Sequence, residues 1–497
     1  MALAKEQEIT KINSDMTSSL TSKVAKSARW VFSAKILGRI FDFIKLVILA
    51  RLLSPDDFGL FGLVMLTMII FETFSQTGLQ AALVQHGGKT EEYLDSAWTI
   101  QVLRGSLIAL MLFLIAPMAA SFFDEPRMIL PLQVMCFSFF LQGFINIEII
   151  YFQKDLKFHK QFYYEMISNF ASLVTGIVLA YLLRSIWALV WANLAGVIMK
   201  LVLSYAMLQY RPKFQFNIEQ SKELFRFGKW MTGYAIASFG WQQLDKIFIG
   251  KFLGPIPLGI YQIAQRISDI PISNIAGASV NFTFPAYAKI QQGTERLGKA
   301  FLDVFETIIS IITPISVFCI LAAPDIVYGL LTEKWKDAIM PLQILAAAGL
   351  FTAMDTLTMP LFISVGKPNI EFLKNLFKVT ILAITIYPFI KWWGIAGACI
   401  SVLISSISVL PICAKALNIA NINFSEIFKR LIIPFTAGAT TAASILVTHS
   451  FFHQNDLLSL TICAAISLIS FMSIILVAGI FYERGLYILI RRALKTI

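Results

Sequence analysis

RLLSPDDFGLF, residues 51–61, is echoed by KFLGPIPLGIY at residues 251–261. Arg51 pairs with Lys251, Leu53 with Leu253, Pro55 with Pro255, Gly59 with Gly259 and Phe61 with Tyr261; upstream, Arg29-Trp30 pairs with Lys229-Trp230. A proline and a glycine matched across a short break between apolar runs read as helix, proline turn, helix, used twice. Six spans separate the copies. An even number preserves chain direction, so the halves are expected to be parallel repeats about an axis along the membrane normal.

Outward from these corners the chain is a series of apolar runs. It has 497 residues, 57% hydrophobic and 14% charged, with mean hydropathy +0.73; soluble domains carry roughly 25% charged residues. Runs of about twenty residues each suffice to cross a hydrocarbon core as a helix, whereas barrel strands give only weak segments of about ten. The fold class is an all-α polytopic membrane protein. About fourteen spans are expected, near 28–50, 58–85, 95–118, 128–151, 162–183, 186–209, 225–250, 257–285, 300–322, 339–364, 370–389, 393–414, 428–448 and 457–481. The chain then divides into a polar arm (1–27), which reads as cytoplasmic rather than as a leader, a six-helix lobe (28–209), a basic cytoplasmic linker (210–224), a second six-helix lobe (225–414), two further helices (415–482) and a cytoplasmic tail (483–497).

The formal charge of +11 is a topology signal rather than a nucleic-acid patch, because the basic residues fall in short segments between spans. With the N-terminus inside, 27 basic residues (Lys374, Lys378 and Arg430 among them) fall on inner segments and 7 on outer ones, so both termini are expected to be cytoplasmic. The five cysteines lie inside apolar runs without a CxxC pair, and the four histidines lie in expected loops without metal spacing. No metal or cofactor is expected.

Ionisable residues inside spans cost at least ~2.5 kcal/mol each at mid-helix and face a cavity or a partner. In the first span Lys35, Arg39 and Asp42 fall on one face by i, i+4, i+7 spacing; in the eighth, Gln262, Arg266, Asp269, Ser273 and Gly277 do the same, with Pro271 able to kink the helix. The second span carries Glu72, Gln76 and Gln80 on one face, and Arg104 and Lys200 add cations in the third and sixth. Plainer roles stand beside these: Lys35 and Lys45 at the helix ends as snorkelling residues, Asp245 and Lys246 as structural or snorkelling ones, and Arg39 with Asp42 or Arg266 with Asp269 as internal ion pairs. A surplus of cations favours an anionic cargo, the guanidinium fork suits phosphate, and Gln, Ser and Asn suit sugar hydroxyls. The candidate cargo contacts are Arg39, Arg266, Lys35, Arg104, Lys200, Gln76 and Gln262. Asp42, Glu72 and Asp269 are candidates for ion coupling or pairing. No GxxxxGK[ST] motif and no extramembrane catalytic set is present, so the chain reads as a transporter and not an enzyme. Its drive would be H⁺ or Na⁺ coupling, cargo consumption or the membrane potential, which favours outward anion movement by roughly 2.3 kcal/mol per charge per 100 mV.

The stretch ARLLSPDDFGLFGLVMLTMIIFETFSQTGLQAALVQ (50–85), with YFQKDLKF (151–158), DKIFIGKFLGPIPLGIYQIAQ (245–265) and FPAYAKIQ (284–291), resembles the oligosaccharide flippases of the multidrug/oligosaccharidyl-lipid/polysaccharide superfamily, its colanic-acid and lipopolysaccharide exporter branch in particular. The resemblance covers almost the whole chain. It implies a flippase moving undecaprenyl-pyrophosphate-linked sugar repeats from the cytoplasmic to the periplasmic leaflet of a bacterial inner membrane, for lipopolysaccharide, capsule or exopolysaccharide synthesis, with a polysaccharide polymerase as a partner. It implies further that a cationic cavity between the lobes uses arginines of the first and eighth helices on the pyrophosphate, here Arg39 and Arg266 by helix and depth, and that the last two helices form a groove for the lipid tail. Helix 2 of such relatives carries a cation where this chain has Glu72, leaving Lys35, Arg104 or Lys200 to compensate. Competing readings are a cation-coupled multidrug antiporter of the same superfamily, which needs an acidic and aromatic cavity, and a membrane-embedded ligase or glycosyltransferase, which needs a long outer loop.

Overall fold

The computed structural model describes residues 37–75, 91–155, 157–215, 239–419, 422, 424–451 and 457–482. Lys35, Gln76, Gln80, His86, His453, the Arg29-Trp30 and Lys229-Trp230 pairs, the arm 1–27, most of the linker and the tail 483–497 lie outside these residues. No strand occurs among the described residues. Eight helical stretches among them are long and apolar enough to cross a bilayer, and the protein is a multi-pass helical membrane protein.

The chain forms two compact units. One comprises residues up to Leu53 and Leu63–Ile236; the other comprises Ser54–Gly62 and Ala237–Ile497. The first holds α1 (37–52), the latter part of α2 (Pro55–Phe74), α3 (Glu91–Phe122), α4 (Ile129–Gly143), α5 (Ile150–Lys154), α6 (Phe158–Leu183) and α7 (Trp187–Ala206). Here α3 packs on α4, and α7 packs on both α4 and α6. Leu103, Leu107, Leu110, Leu114 and Met118 form an exposed stripe along α3, the arrangement of a lipid-facing helix surface. Beyond α7 the backbone straps back over the bundle. Asn146 Nδ2 donates to the Tyr210 carbonyl at 2.7 Å, the Lys213 N–H to Asp95 at 2.7 Å and the Gln215 N–H to Thr99 Oγ1 at 3.1 Å. The start of the segment read as a linker is therefore fastened to this unit.

The second unit continues with α8 (239–253), α9 (Pro255–Pro271), α10 (Gly277–Ile290), α11 (Thr294–Leu321), α12 (Ala323–Ile326), α13 (Ile339–Ser364), α14 (Pro368–Ser408), α15 (Leu410–Ile419), α16 (Phe424–Phe451) and α17 (Leu457–Tyr482). Between α9 and α10 the residues Ile272–Ala276 form a π turn. The missing N–H of Pro271 removes one α-helical bond there, and the widened turn is the local response. The run drawn as two spans, 370–389 and 393–414, is broken inside α14 at Gly394, whose φ of 58° and ψ of −133° only glycine adopts without strain. Trp392 and Trp393 are exposed at this break, as interface aromatics are. The last two long helices are part of this unit: α16 packs along α11 and against α17.

The repeated corner uses two local solutions. Before α2, the Ser54 N–H donates to Asp57 Oδ2 at 3.0 Å and the Asp57 N–H to Ser54 Oγ at 3.2 Å, a reciprocal cap. Before α9, Gly254 turns the chain with φ 84° and Pro255 opens the helix. Residues 54–61 of the first copy and all of the second lie in the second unit and pack reciprocally. A Cβ on Gly59 would fall 1.7 Å from the Pro255 carbonyl oxygen, and one on Gly259 2.2 Å from that of Pro55. The proline and glycine matched in the sequence are thus the residues by which one corner docks on the other.

Candidate functional site

In the first unit Arg39 and Asp42 are exposed on α1, and neither makes an ion pair or hydrogen bond among the described residues. Lys45, one turn further on, is half-buried and donates to Ser172 Oγ on α6 at 2.6 Å. Arg104 on α3 donates from Nη2 to Ser75 Oγ at 3.1 Å, while its buried Nε has no partner among the described residues. Glu72, exposed near the end of α2, acts on this guanidinium electrostatically. The structure thus brings Glu72, Ser75 and Arg104 together, with an unused donor on the arginine. Lys200 is half-buried on α7 and makes no ion pair among the described residues.

In the second unit Arg266 and Asp269 are exposed on α9. Gln262, on the same helix, lies against the backbone of α2: a Cβ on Gly62 would fall 2.5 Å from its amide nitrogen. Asp269 borders a cavity of about 320 Å³ between α8, α9, α13 and α14. Asp245 is 3% exposed and accepts the Tyr261 hydroxyl of α9.

The largest departure from the sequence reading lies between α13 and α14. Lys374 and Lys378, counted as inner-loop charges, are 1% and 2% exposed, and Asp355 of α13 is 6% exposed. Lys374 Nζ stands 2.7 Å from Asp355 and 2.6 Å from Glu371. Lys378 Nζ lies 3.2 Å from Asp355 and 3.6 Å from the centre of the Trp241 ring on α8. Two ammonium groups and two carboxylates close a buried network without net charge, the form in which charge is tolerated in such an interior. The signal was present: Pro368 as a first helical residue puts Lys374 and Lys378 in the second and third turns, and Asp355 is an acid inside an apolar span. What joins them is contact across helices, which spacing along the chain does not carry.

A second group was also missed. His449 lies inside α16 rather than in a loop, with Nε2 at 2.8 Å from Asp325 Oδ2, and Ser459 of α17 donates to Asp325 Oδ1 at 2.9 Å. Cys463 Sγ is within 4.8 Å of both the histidine and carboxylate ligand atoms. The fully buried Asp325 of α12 therefore ties down both members of the terminal hairpin. Near its other end α16 is fastened to α11 by Arg430, which pairs with Glu306 and, at 3.0 Å, with Asp303.

Comparison with known proteins finds relatives along most of the chain. The model of a family described as polysaccharide biosynthesis protein matches residues 48–340. The teichuronic acid biosynthesis protein TuaB of Bacillus subtilis (strain 168) is 20% identical over 84% of this chain and 87% of its own. The succinoglycan biosynthesis transport protein ExoT of Rhizobium meliloti (strain 1021) is 26% identical over 72% of each. The lipopolysaccharide biosynthesis protein WzxC of Escherichia coli (strain K12) is 22% identical over 72% of this chain and 74% of its own. Among solved structures, the lipid II flippase MurJ in an inward closed conformation matches with TM-score 0.72 at 14% identity, covering 91% of this chain and 99% of that one. An inward-facing multidrug resistance transporter of the MATE family matches with TM-score 0.60 at 17% identity over 77% and 95%. These two likenesses show the fold alone, which this chain shares with both transporters.

Proposed function

Because this chain belongs to the polysaccharide biosynthesis protein family, we propose that it is a flippase carrying undecaprenyl-pyrophosphate-linked oligosaccharide from the cytoplasmic to the periplasmic leaflet of a bacterial inner membrane by alternating access. Both termini are cytoplasmic in this reading, a polysaccharide polymerase takes the product, and the cargo serves a surface polysaccharide. The observation that carries the reading is family membership over residues 48–340; the relatives' names and the fold agree with it.

The charged residues add a chemical rationale. An arginine in a span is retained when it meets water or an anion, and Arg39 and Arg266 are both exposed in helices expected to cross the bilayer. A guanidinium fork suits a phosphate group, because it donates two N–H bonds to the phosphate oxygens. Arg104, whose Nε has no partner among the described residues and whose Nη2 is held by Ser75, and Lys200 are supporting cations. Asp42, Glu72 and Asp269 are the candidate acids for ion coupling or pairing; outward movement of a pyrophosphate is also favoured by an interior-negative potential.

Arg39→Ala and Arg266→Ala are each expected to abolish surface polysaccharide in a strain lacking the native copy, at unchanged protein level in the membrane. Normal polymer in both variants removes the assignment of the pyrophosphate to these residues.

A further inference from the structure

We infer that the cavity between α8, α9, α13 and α14 is a subsite for uncharged sugar rings of the cargo, distinct from the groups that hold the pyrophosphate; this rests on the transport reading above. The cavity measures about 320 Å³, at the lower end of ligand pockets, which run from roughly 300 to 1,000 Å³. It has room for a short saccharide and not for a whole repeat unit with its lipid.

Its lining selects the class of ligand. Trp241, Gln242, Gln243, Gln265 and Ser268 form the polar side, opposite aliphatic residues of α13 and α14. Among the described residues no protein group hydrogen-bonds to the carboxamides of Gln242, Gln243 or Gln265. Each carboxamide offers two N–H donors and an accepting oxygen, the planar donor–acceptor pair that adjacent hydroxyls of a sugar satisfy. Ser268 Oγ donates to the Gln265 carbonyl at 3.0 Å, leaving its lone pairs open to a ligand hydroxyl.

The charges argue against the pyrophosphate here. The cavity is bordered by Asp245, Asp269 and Lys246, two carboxylates to one ammonium. The ammonium is engaged, donating to the Gln242 carbonyl and lying 3.8 Å from Asp245. A polyanion entering would meet surplus negative charge with no cation at liberty, whereas a polyol meets unspent neutral donors and acceptors.

Trp241 gives the buried lysine network a role. A sugar places its C–H face on an aromatic ring, and the ring must be held. The Lys378 ammonium sits 3.6 Å from the centre of the Trp241 ring and is itself fixed by Asp355 at 3.2 Å. This cation–π contact, made by a buried ammonium, holds the indole that walls the cavity. Lys378 is thus a positioning residue for the sugar-stacking tryptophan.

The test uses the full-length protein in lipid nanodiscs and two probes: bare undecaprenyl pyrophosphate, and the lipid-linked oligosaccharide fraction extracted from the source cells. Wild-type protein is expected to bind the glycosylated lipid roughly tenfold more tightly than the bare one, the scale of one or two net hydrogen bonds. Trp241→Ala and Gln243→Ala should reduce that ratio to near unity with bare-lipid affinity unchanged, and Trp241→Phe, which keeps a ring, should retain most of it. An undiminished ratio in the Ala variants overturns the subsite. So does binding of tetraphenylphosphonium that requires Trp241 while the glycan preference does not, since the cavity then serves organic cations. If wild-type protein binds neither lipid, or Arg39→Ala leaves bare-lipid binding intact, the pyrophosphate reading fails first and the subsite with it.

Discussion

Replacing Asp355 by asparagine removes one charge and almost no volume, so it isolates the electrostatics of the buried network. Lys374 would keep Glu371 at 2.6 Å. Lys378 would keep only the face of Trp241, worth up to about 2 kcal/mol when desolvated. Removing one partner of a buried ion pair costs about 3–5 kcal/mol, because the remaining charge stays buried without compensation. The expected loss is therefore about 3 kcal/mol or more, a fall in Tm of roughly 10 °C for a unit of this size. The cysteines supply the assay. All five are buried, and Cys413 Sγ lies 3.7 Å from Asp355 Oδ1, so a thiol-reactive fluorophore added to the detergent-purified protein reports opening around the network. Adding Lys378→Met to Asp355→Asn removes the stranded charge and should recover more than half of the loss. A single variant melting within about 2 °C of wild type, or a double variant no better than the single, refutes the view that Asp355 compensates Lys378.

The reciprocal corner makes a steric prediction. Gly59→Ala and Gly259→Ala each drive a methyl group into a backbone carbonyl and should cost about 3 kcal/mol or more, seen as loss of the monodisperse peak in fluorescence-detected size exclusion; Gly277→Ala, whose Cβ would meet nothing nearer than 3.9 Å, is the tolerated control. Gly394→Ala should cost about 1–3 kcal/mol in a thermal melt through backbone strain alone, since nothing lies within 4 Å of the added Cβ. Outside the spans, the side-chain hydrogen bond from Arg127 holds the Glu125 carboxyl below its ordinary range. A folded pKa depressed in this way contributes stability above the unfolded pKa that disappears as pH falls through the folded one. Glu125→Gln should therefore lower Tm slightly at pH 7 and converge with wild type in acid. A gap that widens on acidification would reverse the assigned sign.

The sequence by itself determined that this is a multi-pass helical membrane protein with a repeated proline corner. Hydropathy, Pro255 opening a helix and Gly254 turning the chain before it act over a few residues, so spacing along the chain exposes them. Single-residue chemistry also marked Arg39, Arg104 and Arg266 as costly and therefore notable. Spacing did not reveal what each side chain meets. Gln262 shares a helix face with Arg266 yet lies on Gly62. Lys374 and Lys378 scored as loop charges, while their partner Asp355 stands on another helix and the ring over Lys378 on a third. His449 fell at a loop boundary, yet it reaches a carboxylate 124 residues earlier in the chain. A buried charge survives only where an opposite charge arrives from elsewhere in the sequence, and tertiary packing alone decides that arrival.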